Sequence, residues 1–184
     1  MLQRDVGIDH PPLVTEEWIA ACFTPDEKQT PANKQALAYS DAAISELSLS
    51  DIIVIATPRY NYGMPAALKA WFDQVIRIRR TFSFDPAEKT WPLSPILHGK
   101  KLILISASGE FDFHPGGIRE DWDHLEPHVR TCAHYIGVAS ADIHHVSVEY
   151  QEFADERHDS SVKLALEMVG TIVDKLTLPL AVPY

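Results

Sequence analysis

The sequence lacks any apolar run that could cross a membrane; Ile52–Ala56 is typical of its longest and falls far short of the roughly 20 residues a helical span needs. It has two cysteines, Cys22 and Cys132, distant from each other and in no ligand spacing. That excludes a disulfide framework or a zinc knuckle and is consistent with reduced core thiols. Positive charge is scarce: 16 Lys and Arg stand against 26 Asp and Glu, for a net charge of −10. Nucleic acid and anionic membrane are therefore not expected as main partners, because both demand clustered cations. No G-x-G-x-x-G occurs, which argues against a Rossmann-type dehydrogenase. Nine histidines are present, but no H-E-x-x-H, and Pro127 separates His124 from His128, so no metal site is expected. Met1–Asp5 carries no apolar signal region, and a cytoplasmic protein is expected.

What is present is a globular balance, 46% hydrophobic and 23% charged over 184 residues, enough for one domain spanning 1–184 with a sizeable core. Asp51–Ala56 and Lys101–Ser106 are short apolar runs without alternation, the pattern of buried parallel strands. Residues 141–150 form a more polar strand, suited to a sheet edge. Helical periodicity marks 31–49, after the start signal Thr30-Pro31. It recurs at 65–80, where Leu68, Trp71, Phe72, Val75 and Ile78 share a face, and again at 124–137 and 159–176. The prolines concentrate in residues 9–31 and 85–95, which read as loops. Strands alternating with helices predict βαβ crossovers and a parallel sheet covered on both faces.

Two of these strands run directly into loops with chemical content. The first leads into Thr57-Pro58-Arg59-Tyr60-Asn61-Tyr62-Gly63-Met64-Pro65 and then a helix, at the carboxyl end of a strand where open α/β sheets bind ligands. Pro65 suits a first helical turn, whose free amides make an electropositive end. The tyrosines can lie against a flat ring, and Asn61 offers donors and acceptors to a heterocycle edge; equally, both tyrosines could simply pack the loop. The second strand leads into Ala107-Ser108-Gly109-Glu110, small residues that permit close backbone approach. The run Arg77–Arg80 reads as cations at a helix C-terminus. Trp71 and Phe72 read as core, while Phe82, Phe84, Trp91, Phe111 and Phe113 divide between core and an aromatic slot in a way spacing does not resolve.

In this order and spacing, the stretch Asp51–Val75 resembles the second flavin-binding segment of bacterial FMN-dependent NADH azoreductases and NAD(P)H:quinone oxidoreductases. Gly99–Glu110 resembles their G-K-K strand and Ser/Gly-rich flavin loop, and Thr81-Phe82-Ser83-Phe84 a segment bordering the site. The resemblance implies a flavodoxin-like three-layer sandwich with a mainly parallel sheet. It implies FMN contacts from Arg59, Tyr60, Asn61, Tyr62, Ala107, Ser108, Gly109 and Glu110, a homodimer, and NADH or NADPH as reductant for quinones or azo compounds. Because the flavin carries such chemistry, no acid–base or nucleophilic residue is nominated.

The family's opening strand–helix unit, with its Ser-rich loop around the FMN phosphate, has no counterpart in these 184 residues, and Arg4–Val6 resembles the exit of the family's second strand. FMN is therefore expected to be held through its ring, and weakly. The alternative expectation is a flavin-free or weakly flavin-binding relative acting as a dimeric interaction module. Glu110, where the family loop carries glycine, is expected to set a carboxylate beside the ring.

Overall fold

A computed structural model describes residues 1–177. In chain order its elements are α1 (Glu16–Phe23), α2 (Pro31–Ser48), β1 (Ile52–Pro58), α3 (Ala66–Val75), β2 (Phe82–Phe84), β3 (Leu93–Pro95), β4 (Lys100–Ala107), α4 (Glu126–Tyr135), β5 (Val138–Val148) and α5 (Glu156–Thr177). The main sheet is parallel, in the order β1-β4-β5. Ile52 pairs with Lys101 and Pro58 with Ala107, so β1 and β4 end level at their carboxyl ends. β2 and β3 form a separate antiparallel pair.

The local sequence accounts for most boundaries. Thr30 caps α2: its hydroxyl accepts from the Asn33 amide at 3.2 Å while the Asn33 side chain accepts from the Thr30 amide at 3.0 Å, with Pro31 opening the helix. These two bonds satisfy donors that a helix start otherwise leaves orphaned. α1 was not foreseen in the proline-rich 9–31 stretch. Thr15 caps it, accepting from the Trp18 amide, and the prolines lie outside its ends, where they are tolerated.

α3 stops at Val75 rather than continuing to residue 80. The buried Thr81 hydroxyl turns back to donate to the Val75 carbonyl at 2.8 Å and accept from the Arg77 amide at 2.9 Å, which closes the chain into a turn. Arg77–Arg80 therefore does not extend the helix, and its cations bind the neighbouring α1–α2 segment. Arg77 is 3% exposed and donates to Ser40 and Asp41, Arg79 to the Cys22 carbonyl, and Arg80 to Asp26.

The core has two sides. On one, α2, α3 and α4 cover the sheet, with Ile44, Leu47, Leu68, Phe72, Val129 and Ala133 packed on Ile53, Ile55, Leu102 and Leu104. Leu102 and Leu104 are fully buried, and burial of each contributes roughly 1.5–3 kcal/mol relative to exposure. On the other side α5 sets Ala165 and Ile172 against Ile103, Ile105, Val146 and Val148. The arrangement is a three-layer sandwich. Phe72 is buried in the core, as its spacing implied, and Trp71 packs against it partly buried.

One strand differs from expectation. β1 alternates, with Ile53 and Ile55 buried but Ile52 and Val54 45% and 58% exposed. It lies at the edge of the sheet, and on that face the α5 cluster reaches only residues of β4 and β5. β5 takes the opposite edge, as its more polar sequence predicts. Residues 1–5 form no strand, and Arg4 instead pairs with Glu46 through two hydrogen bonds of 2.8 and 2.9 Å. Among the described residues, no helix is long and apolar enough to cross a membrane, and no three His, Cys, Asp or Glu side chains converge as a metal-binding group.

Candidate functional site

The level carboxyl ends of β1 and β4 bring the two chemically suggestive loops side by side. The Arg59 amide adds one more rung to the ladder, donating to the Ala107 carbonyl at 2.8 Å. The chain then reverses in a two-residue turn. Tyr60 and Gly63 exchange both backbone hydrogen bonds at 3.0 Å, and Asn61 and Tyr62 sit between them with φ of +46° and +67°. Positive φ at both central positions is the geometry of a type I′ turn, which Asn tolerates and Tyr does not readily. A left-handed tyrosine persists only where its surroundings fix it. Here the Tyr62 ring meets Trp122 edge-on at 5.0 Å and Phe113 at 6.2 Å, its hydroxyl donates to Glu110 at 3.2 Å, and its carbonyl accepts from the His124 amide at 2.9 Å. Desolvation, and then the Glu110 carboxylate, hold its phenol above the usual tyrosine range.

The second loop is pinned from beneath by the segment after β5. The Ser108 amide donates to the Val148 carbonyl at 2.9 Å, and the Gln151 amide to the Ser108 carbonyl at 3.1 Å. The buried Ser108 hydroxyl donates to the Glu110 carbonyl at 3.0 Å. A Cβ on Gly109 would meet the Glu152 side chain at 2.5 Å, so glycine lets that side chain lie across the loop. Phe111 stacks on Tyr150 with centroids 4.4 Å apart. The Glu110 carboxylate is not left free beside a ring, as its sequence position suggested. It is shared between the Tyr62 hydroxyl and the Arg119 guanidinium.

The eight candidate residues thus divide. Tyr60 (63% exposed) and Asn61 face solvent; Tyr62, Ala107, Gly109 and Glu110 are half-buried; Arg59 and Ser108 are buried. Arg59 turns inward, onto the Asp123 carboxylate and the Phe113 face. Among the described residues the amides of Asn61, Gly109 and Glu110 find no acceptor. α3 begins after Pro65 with no side-chain cap, leaving its first amides available to an acceptor in front of it. An open groove of about 1180 Å³ runs from there along the free edge of β1, bounded by Tyr60, Pro65, Ala66, Val54 and residues 1–7.

These features fit the ring of a flavin: free amides and an electropositive helix start for its polar edge, flat side chains for its faces, and a groove of sufficient size. They fit its phosphate poorly. Arg4, the one Arg or Lys side chain among the described residues that lines the groove, is committed to Glu46. Sequence reasoning did not find Trp122, Arg119 or Asp123 as neighbours of the site, and no local pattern marks them; they reach it through a loop about sixty residues beyond Arg59.

The sequence profile of the flavodoxin-like fold matches residues 3–168. The chain belongs to the flavodoxin-like family. It is 52% identical over 176 residues to FMN-dependent NADH:quinone oxidoreductase 2 of Colwellia psychrerythraea, covering 96% of this chain and 80% of that protein. It is 49% identical over 177 residues to the protein of the same name from Idiomarina loihiensis, covering 96% and 73%. Among solved structures, an azoreductase from Bacillus anthracis str. Sterne superposes with a TM-score of 0.80 at 19% identity, over 95% of this chain and 81% of that one. At that identity the likeness shows the fold. Within the flavodoxin-like sheet of this chain, the two loops described above occupy the carboxyl ends of adjacent parallel strands, where the fold places its ligands.

Proposed function

We propose that this family member is an FMN-dependent NADH:quinone oxidoreductase, with azo compounds as a second acceptor class. The observation that carries the reading is the pairing of the Tyr60–Gly63 turn with the Ser108–Glu110 loop, at level strand ends and beside an uncapped helix start. The names of relatives at 49–52% identity support it. FMN, when bound, supplies the two-electron chemistry that links NADH oxidation to quinone reduction.

The chain's own residues bind and orient. Tyr60 and Tyr62 would offer flat faces to the ring, and Asn61 would meet its polar edge with a side-chain amide. The backbone of Ala107, Ser108, Gly109 and Glu110 forms the opposite lip. The α3 amides would favour negative charge on a ring bound in front of them, and the Glu110–Arg119 pair keeps a free carboxylate from opposing it. No side chain is assigned an acid–base step.

A homodimer fits the exposed apolar side chains around the site, Tyr60, Ile118 and Trp122 among them, which a partner subunit would cover. A monomeric mass by light scattering at micromolar concentration would contradict it. We place the protein in the cytosol, where NADH is available and the thiols of Cys22 and Cys132, both buried and free, stay reduced.

Titration of the chain with FMN, followed by quenching of flavin fluorescence, tests the site. Saturable binding is expected. Asn61→Gly keeps the left-handed turn and removes only the side-chain amide, and it should weaken binding by roughly 1–3 kcal/mol. No binding by the unaltered chain would sink the reading in favour of a flavin-free dimeric module. Unchanged affinity in the variant would reduce Asn61 to a turn former.

A further inference from the structure

Arg59 is the candidate that the structure places least like a ligand contact. Its side chain is 2% exposed. Its guanidinium lies over the Phe113 ring at 4.0 Å and donates through Nη1 and Nη2 to the two oxygens of Asp123, while its buried Nε has no partner among the described residues. We propose that Arg59 is a positioning residue, which acts through Asp123 and Phe113 to hold Tyr62 and Trp122 in place at the site. The proposal rests on the flavin-site reading given above for what Tyr62 is there to do.

The argument starts from an energetic oddity. A buried ion pair is seldom more stabilising than an apolar pair of the same volume, because desolvation offsets the attraction. What a bidentate guanidinium–carboxylate contact adds is fixed geometry. At one end Arg59 is anchored in the sheet by the hydrogen bond that its backbone N–H donates to the Ala107 carbonyl. At the other, Asp123 Oδ1 also accepts from the amides of Leu125 at 2.9 Å and Glu126 at 3.1 Å. The same carboxylate therefore caps the start of α4 and receives the arginine.

One residue on from Asp123, the His124 amide donates to the Tyr62 carbonyl; one residue back, Trp122 packs edge-on against the Tyr62 ring. Segment 122–125 is thus a strut between α4 and the strained turn. Arg59 is what ties that strut to the end of β1. Without it, nothing else of opposite charge among the described residues is bonded to Asp123, and the left-handed Tyr62 would lose part of what enforces it.

The test uses Arg59→Met, Asp123→Asn and the double variant, each read in two ways. In the cofactor-free chain, amide hydrogen exchange by NMR should be accelerated at least about ten-fold at His124 and Leu125, while the Leu102 and Leu104 amides in the sheet are unchanged; local opening without global loss is what a strut predicts. FMN affinity by fluorescence quenching should fall about ten-fold or more in each single variant. The double variant should be no weaker than the worse single, because two residues in one linkage are non-additive. Losses that multiply in the double variant, with His124 exchange unchanged, would mean that Arg59 touches the cofactor directly and would overturn the proposal. If the unaltered chain binds no FMN, the functional reading fails, and His124 exchange still decides the strut. Should Arg59→Met not fold, Arg59→Lys keeps the charge but not the planar fork: faster His124 exchange supports the strut, and unchanged exchange overturns it.

Discussion

His145 shows how a residue unremarkable in the sequence acquires a defined state from its surroundings. It lies on β5 facing the α4 side, and its Nε2 is 2.8 Å from the Ser106 hydroxyl near the end of β4. Burial pushes its pKa below the ordinary 6.5; Glu126 and Asp123 oppose that shift without reversing it, and the Arg59 and Arg130 cations add smaller effects in the downward direction. The folded state therefore prefers the neutral ring, and the unfolded chain binds the proton more readily. The sign follows: the stability contributed by the neutral ring is fully present above about pH 6.5 and is lost as pH falls from there through the lower folded value. Thermal melts between pH 7.5 and 5.5 should show a decline that His145→Gln, which still bonds Ser106 but does not titrate, makes shallower. An equally steep decline in that variant would place the titration elsewhere. The buried thiols are simpler: burial pushes Cys22 and Cys132 up to about 11, so neither is a ready nucleophile at neutral pH.

At the scale of elements, legibility in the sequence followed how local the cause was. α2 was readable to within a residue because its cap, its proline and its apolar spacing all lie inside one segment. The strands β1 and β4 were readable as apolar runs, and their loops as lying at the strands' carboxyl ends, where the fold class places its ligands. α3 was overextended because the signal that ends it is a hydroxyl six residues beyond its last turn. α1 and the β2–β3 pair were missed for a related reason. Proline density was read as loop, yet Thr15 and the turn around residues 85–92 set short elements between the prolines. At the candidate site, Tyr60, Asn61 and the Ser108–Glu110 loop were legible from local chemistry, whereas the inward turn of Arg59 was not. Its partner Asp123 is 64 residues away, and no spacing rule connects the two.

For the whole molecule, the sheet order brings together what the chain separates. β4 runs between β1 and β5, so both candidate loops and the segment after β5 converge at one end, while α5 covers only part of the opposite face. The free edge of β1 and its groove leave room in front of the Tyr60 turn, and among the described residues the one Arg or Lys side chain lining that groove, Arg4, is paired with Glu46. Flavin should thus be held mainly through its ring. The central claim is catalytic, and its most direct test is NADH oxidation followed at 340 nm with excess FMN and a benzoquinone acceptor under anaerobic conditions. The account predicts turnover that requires protein, FMN and quinone together, exceeds the rate with free FMN alone, and oxidises about one NADH per quinone reduced, as two-electron transfer demands. A rate indistinguishable from free FMN, at protein concentrations where flavin fluorescence is already quenched, would contradict it.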